Sequence, residues 1–269
     1  MSNPVNYVDY LNAKYQSLGF PPYQWTINHT AQLTPLKKPL SQCCVSILST
    51  AGASRSVDPP FNPEARDDLR CDAISSNTDT SAFVINDNYY DHADASLDLN
   101  CMFPLDRLHE LAAEGIIGSV AAHVYSGFMG RIYIRDAVCN DGAPALAAKL
   151  KSDGVDLLVV VPACPLDHQT AGLVARVVEE QGIPTVTVST GRDLSKNVMP
   201  PRTVFVNFPM GNAFGRPGDT TQQRRILLDA LNVAAKHCAP GELVDLPYDW
   251  GAPVAMHMRQ TDRDYQLRK

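Results

Sequence analysis

A thiol, a carboxylate and an imidazole fall within one helical turn of each other in this chain, at Cys164, Asp167 and His168. Such a set can carry nucleophilic chemistry, in which a thiolate attacks an electrophilic carbon while a neighbouring base takes up or returns the proton. Cys164 follows the apolar run Leu157-Leu158-Val159-Val160-Val161, the pattern of a strand buried on both faces of a parallel sheet. It precedes Pro165, a residue suited to the first helical position, which makes Cys164 the N-cap of a helix. Unpaired N–H groups and the positive end of the macrodipole favour a thiolate there. Asp167 falls at N3, where a carboxylate ordinarily bonds back to the N-cap N–H, and its charge would raise the thiol pKa. Capping is its expected role, and its place beside the thiol keeps it in the catalytic set. His168 is the first candidate for proton transfer. The plain alternative is a buried cysteine that packs as a small hydrophobe.

A second polar run, Tyr89-Tyr90-Asp91-His92-Ala93-Asp94, sets two carboxylates around an imidazole. Asp91, His92 and Asp94 could act as acid or base, but contiguous residues of an extended chain point in alternate directions, so no metal site is expected. Glycine-bearing or polar segments that follow strands supply further pocket candidates: Thr50 and Gly52, Ser126, and Gly211 with Asn212, to which Thr170 on the Cys164 helix is added. None of the glycine loops has the dinucleotide-binding or phosphate-loop spacing, and neither His-Glu-x-x-His nor Gly-x-Ser-x-Gly occurs. No cofactor is expected.

The elements that must position these groups alternate. Buried or half-buried strands are expected at 44–50, 82–85, 118–124, 157–161, 185–189 and 203–208, with helices at 8–18, 104–114, 144–153 and from Pro165 to Gly182. A last helix opens at Asp219 with Gln222 three residues on, carrying Leu227, Leu231, Ala234 and Cys238 on one face. Such an order implies an α/β fold with a mostly parallel sheet, flanking helices and Rossmann-like or flavodoxin-like βαβ units, in one unit or two lobes. Residues 1–40, polar and aromatic, read as an N-terminal arm laid across an α/β catalytic domain at 41–240, with a C-terminal tail at 241–269. The stretch 53–80 reads as a long polar loop.

The chain has 269 residues, 45% hydrophobic and 19% charged, with a formal net charge of −6 and no dense Lys/Arg stripe. Nucleic acid is therefore an unsuited partner. No apolar run is long enough to cross a bilayer and the first residues lack the signal-peptide pattern, so a cytoplasmic protein without a membrane partner is expected. Seven scattered cysteines, without a Cys-x-x-Cys pair, read as reduced thiols rather than disulfides or a zinc site.

Several of these residues resemble the B-component family of glycine, sarcosine, betaine and D-proline reductases, known as selenoprotein B. The likeness lies in Tyr15-Gln16-Ser17-Leu18-Gly19-Phe20-Pro21-Pro22-Tyr23-Gln24-Trp25, Tyr90 to Ala95, Phe103 to Leu108 with Glu114 to Gly118, Pro162 to Leu166 with His168 to Gly172, and Gly211, Gly215 and Pro217-Gly218-Asp219. The resemblance implies that Cys164 matches a position often held by selenocysteine, the nucleophile that displaces an amino group from carbon. It also implies a multi-component system in which a partner subunit bears a pyruvoyl carbonyl. Family members of this type commonly carry a second cysteine three residues on, where this chain has Asp167.

The function expected from these readings is cleavage of a C–N or C–S bond in a small amino-acid-like substrate by a Cys164 thiolate, by net reduction, hydrolysis or elimination. Its partners would be that substrate, a pyruvoyl-bearing or thiol-reductant subunit, and further copies of itself. Two other classes stand beside it. One is a cofactor-free racemase, isomerase or lyase of the aspartate/glutamate racemase type, with Cys44 or His92 as second acid or base, and the other a non-catalytic subunit of a pyruvoyl-dependent reductase complex.

Overall fold

The computed structural model describes residues 3–236 and 239–254; Cys238 and the end of the proposed tail lie outside the described residues. Ten strands follow in chain order: β1 (Cys44–Ser49), β2 (Ala53–Arg55), β3 (Cys71–Ser75), β4 (Phe83–Ile85), β5 (Ser119–Val120), β6 (His123–Gly127), β7 (Leu157–Val161), β8 (Thr185–Ser189), β9 (Arg202–Phe205) and β10 (Glu242–Asp245). The helices are α1 (Tyr7–Ser17), α2 (Ala93–Leu97), α3 (Leu105–Ala113), α4 (Arg135–Ala137), α5 (Ala143–Ser152), α6 (Pro165–Glu180), α7 (Arg192–Val198) and α8 (Thr220–Ala235). The fold is α/β with a mostly parallel sheet, as the alternation of elements requires.

Eight strands form the main sheet in the order β10-β9-β8-β7-β1-β6-β3, with β5 paired to β1. All its pairings are parallel except that of β3 with β6. Every residue of β7 is fully buried, as its unbroken Leu/Val run demands of a strand covered by helices on both faces. After β1 the chain goes to β6 on one side and then to β7 on the other, so β1 is the strand at which the winding reverses. In open α/β sheets the crevice beyond the strand C-termini at such a point is where ligands bind.

Differences from the sequence expectations have local causes. The strand expected at 118–124 is two, because β5 pairs with β1 at Cys44 and Val45 and β6 pairs with it only at Leu48 and Ser49. Within the expected 53–80 loop, β3 is a genuine edge strand; its burial alternates weakly and its Asp and Ser disguised it. Residues Glu242–Asp245 of the proposed tail extend the sheet beyond β9. Among the described residues no helix is long and apolar enough to cross a membrane.

The arm is held to the domain through buried polar groups. Glu179 on α6 is fully buried; its Oε1 accepts from the Thr34 N–H at 2.6 Å and from the Arg202 guanidinium at 2.6 Å, and its Oε2 accepts from the Thr185 N–H at 2.7 Å. Arg202 in turn donates to the Thr34 carbonyl. Gln169, also on α6, accepts from the Thr26 N–H, and Asp193 on α7 accepts from the Val8 N–H. This explains why α6 buries Asp167, His168, Gln169, Thr170 and Glu179 although they fall on several of its faces: the arm covers the side that would otherwise meet water.

Replacing Glu179 by Gln leaves Arg202 charged and unpaired inside the fold, a change that costs on the order of 3–5 kcal/mol. The midpoint of urea unfolding should fall accordingly; an unchanged midpoint would remove this pair as the arm's anchor.

Candidate active site

Three strand ends meet at one carboxylate. Asp167, fully buried, accepts through Oδ2 from the Thr50 hydroxyl after β1 at 3.0 Å and from the Cys164 N–H after β7 at 3.0 Å, and through Oδ1 from the Gly130 N–H after β6 at 2.8 Å. Thr50 Oγ1 also accepts from the Ala163 N–H at 2.9 Å, which ties the β1 and β7 ends together. Cys164 is the N-cap of α6 in extended conformation, Pro165 opens the helix, and a capping box closes between Cys164 and Asp167. In that box the Cys164 side chain faces the Asp167 N–H while the Asp167 carboxylate accepts from the Cys164 N–H, so the cap sets the thiol and the carboxylate side by side.

The helix end does not produce a free thiolate here. A helix N-terminus contributes typically 0.3–1 kcal/mol, less than one pKa unit, whereas full burial moves a pKa by up to about 3–5 units. Cys164 is 1% exposed, and burial, with the charges of Asp167 and Asp87, pushes its thiol well above the ordinary value. Burial likewise lifts the Asp167 carboxyl to about 7, against the hydrogen bonds that favour its ionised form. Near neutral pH the pair is thus a thiol beside a carboxyl poised to lose or take a proton.

Asp87 belongs to this group and was not among the sequence candidates. It is 3% exposed; Oδ1 accepts from the Tyr89 N–H at 2.5 Å, while Oδ2 is buried without a hydrogen-bond partner. Its pKa is raised well above the carboxylate range, first by burial and then by the Asp167 charge. Gly52 makes room for it: the backbone is left-handed there (φ +68°), and a Cβ would lie 2.6 Å from the Asn86 carbonyl and 3.4 Å from the Asp87 Cβ. The signal for Asp87 was its place two residues beyond β4, but Asn86 and Asn88 flank it and nothing local separates the three.

His168 lies elsewhere in the network than a proton carrier would. Its Nδ1 donates to the Cys164 carbonyl at 2.7 Å and its Nε2 accepts from the Gly191 N–H at 3.0 Å, and burial lowers its pKa to about 4. Both ring nitrogens are committed to backbone and the ring is neutral, so it clamps the first turn of α6 to the loop after β8. Thr170 turns back to the Leu166 carbonyl within the helix. Ser126 is buried at the end of β6, its hydroxyl without a partner among the described residues.

The remaining candidates form a neighbouring clasp. Asp91 Oδ1 accepts from the Ala93 N–H, His92 Nδ1 contacts Ser96 Oγ at 2.9 Å, and Asp94 accepts from Asn212 Nδ2 at 2.9 Å, so the three groups diverge. Gly211 (φ +98°) presses against Tyr90, whose ring a Cβ would meet at 3.0 Å, and the Tyr90 hydroxyl donates to the Ala51 carbonyl. Through Tyr90 this clasp backs the cysteine site rather than lining it with Asp91, His92 and Asp94 themselves. Cys44, at the start of β1, is level with Asp156 and lies at the opposite end of the strands from Cys164, about 15–20 Å away at ~3.3 Å per residue. It cannot serve as a second acid or base facing Cys164.

A cavity of about 720 Å³ opens over Cys164, walled by α1 and by residues 18–24 of the arm on one side and by Tyr89, Arg131 and Tyr133 on the other. The arm is therefore part of the site. Phe128, before Gly130, holds a left-handed φ of +55°, a conformation that costs a bulky residue on the order of 1–3 kcal/mol and that keeps the loop aimed at Asp167.

Comparison with known proteins finds relatives of this chain. The chain is 31% identical over 221 residues to the D-proline reductase subunit gamma of Acetoanaerobium sticklandii, covering 82% of this chain and 90% of that one. It is 25% identical over 208 residues to the glycine reductase complex component B subunit gamma of Carboxydothermus hydrogenoformans, covering 73% of this chain and 46% of the relative. With the corresponding subunit of Symbiobacterium thermophilum it shares 27% over 146 residues, 53% of this chain and 34% of the relative. The chain thus spans less than half the length of the two glycine reductase relatives. No family model matches the chain, and no solved structure matches it.

The raised Asp167 carboxyl has a stability consequence of definite sign. A group whose folded pKa exceeds its unfolded value near 4 contributes stability that is complete below pH ~4 and is lost as pH rises through about 7. Asn cannot ionise, so Asp167→Asn should gain stability relative to the parent protein on going from pH 5 to pH 8, whatever constant offset the lost cap adds. Urea midpoints of both proteins at the two pH values test this; a difference that stays constant or moves the other way refutes the raised pKa.

Proposed function

Because the chain belongs to the family of the D-proline reductase and glycine reductase component B gamma subunits, we propose that it is the thiol-bearing subunit of a reductase-type complex, in which Cys164 attacks a carbon of an amino-acid-like substrate and displaces a heteroatom. The observation that carries this reading is the buried Cys164 thiol, set beside the Asp167 carboxylate by a shared capping box, at the floor of a cavity.

Asp167 is the proton acceptor in this scheme. Its carboxylate takes the thiol proton as the sulfur lone pair forms the new C–S bond, so the thiolate exists only as it is consumed. The C–N bonding pair leaves with nitrogen, which collects the proton from Asp167 and departs as amine. No oxidation or reduction has occurred at that point. Thr50, the Gly130 N–H and the Cys164 N–H hold the carboxylate in place during the exchange, and Asp87, with its unpartnered Oδ2, holds a second proton within the same buried pocket. His168 fixes the helix turn that carries both reacting groups.

Two contributions come from outside this chain. A carbonyl borne by a partner subunit would activate the substrate's nitrogen as a leaving group. Release of the C–S bond as net reduction requires two electrons, which a partner thiol supplies by attacking Cys164 sulfur to form a mixed disulfide while the substrate carbon takes a proton. Position 167 holds a carboxylate, not a second thiol, so that disulfide forms between chains.

Asp167→Asn separates the two roles of this residue. Loss of the neighbouring charge should lower the thiol pKa and speed alkylation of Cys164 by iodoacetamide at pH 7.5, while loss of the base should cut amine release from amino acids by the assembled complex by on the order of a hundredfold or more. Cys164→Ala and Cys164→Ser should both abolish amine release. Turnover that survives in the alanine protein would leave the chain a scaffold, and full turnover in Asp167→Asn would leave Asp167 a cap alone.

A further inference from the structure

The wall of the Cys164 cavity is charged against the trend of the chain. The protein carries a formal net charge of −6, yet the residues lining this cavity include Lys14, Arg66, Arg131 and Arg135 and no Asp or Glu. An isolated backbone bridge pairs Arg66 with Arg131, which sets two guanidinium side chains at one level of the wall. Among the described residues the Arg66 side chain has no hydrogen-bond or ion-pair partner; Arg131 Nη2 is paired with Glu64 and Arg135 Nη2 donates to the Gln24 carbonyl, while the Nε donors of both are buried without an acceptor. Donors left open in a walled cavity are what an incoming anion satisfies, and the guanidinium fork matches a planar carboxylate.

The rest of the wall is aromatic. Tyr15 and Tyr23 lie 6.4 Å apart and Tyr23 and Tyr133 6.2 Å apart, with the rings tilted 32° and 57° to one another, so the three line the wall as a faceted aromatic surface. Arg135 is held over Tyr23 at 5.5 Å and Arg131 over Tyr89 at 5.8 Å, so the cations stand at the edge of this surface. A volume of about 720 Å³ lies well inside the ~300–1,000 Å³ typical of sites that enclose a drug-sized molecule. A small amino acid would leave most of it empty and the aromatic wall unused.

We propose that the ligand of this cavity is a carboxylate with a bulky apolar body, its carboxylate between Arg66 and Arg131 and its body against Tyr15, Tyr23 and Tyr133. The choice of a carboxylate rests on the amino-acid-like substrate of the functional reading; the size and apolar character rest on the cavity alone. Arm residues supply two of the three rings, so they determine which substrates are accepted.

Titration calorimetry on the full-length protein tests this with 3-phenylpropionate, its neutral amide, acetate, glycine and phenyl phosphate. The expected result is that 3-phenylpropionate binds at least tenfold more tightly than any of the others, that Arg66→Ala weakens it tenfold or more with Arg66→Lys recovering part of the loss, and that Tyr133→Ala weakens it while leaving acetate unaffected. Arg66 and Tyr133 are exposed side chains, so both variants are suited to folding normally. Acetate or glycine binding as tightly as 3-phenylpropionate, the amide or the phosphate binding better, or an Arg66→Ala protein with unchanged affinity would each overturn the proposal. Amine release by the assembled complex carrying Cys164→Ala is read in parallel: release that survives, with 3-phenylpropionate binding intact, rejects the nucleophile and keeps this ligand class, and release abolished without 3-phenylpropionate binding rejects the ligand class alone.

Discussion

A carboxylate with no access to water organises this molecule's centre. Asp167 is tolerable in the interior only because three donors from three strand ends converge on it. Thr50, Gly130 and the Cys164 N–H are each brought by a different parallel strand, so the arrangement exists only where β6, β1 and β7 lie side by side. The carboxylate is at once the cap of α6, the knot between neighbouring loops and the acceptor beside the thiol. Burial, which makes its charge expensive, is also what brings its pKa into the range where it can exchange a proton at neutral pH.

The competition at Cys164 follows from the same burial. Dipole and capping N–H pull toward thiolate, desolvation and two carboxyls push away, and the magnitudes favour the push. Such a site keeps its sulfur protonated until a substrate brings it a reason to ionise. In the proposed scheme reactivity is conditional on occupancy, a different design from an exposed low-pKa cysteine that reacts with whatever diffuses past.

Much of this was readable from residue order because it depends on neighbours in sequence. The Leu157–Val161 run, Pro165 and the Cys164/Asp167 spacing define strand, helix start and cap within a dozen residues, and the buried strand and the helix of the structure have those bounds. What depended on distant neighbours was not readable. Its place beside the thiol and Asp167 in sequence suggests a proton-carrying role for His168, but Gly191 takes its second nitrogen, and no pattern around His168 announces a glycine twenty-three residues away. Asp87 needed the Gly52 turn beneath it to matter. Cys44 was paired with Cys164 by chemistry alone, and the parallel register places them at opposite ends of adjacent strands. Strand β3 escaped notice because an edge strand need not carry the alternating apolar pattern of a covered one.

The anchoring of the arm has a consequence for how the protein comes into being. Thr34 is clasped by Glu179 and Arg202, groups 145 and 168 residues further along the chain. A ribosome adding about 5–20 residues per second makes Thr34 on the order of ten seconds before its second partner exists. During that interval the tyrosines of the arm have no domain to lie on, and the cysteine, once made, has no roof. Its shelter closes late in assembly, under a stretch of chain made long before it.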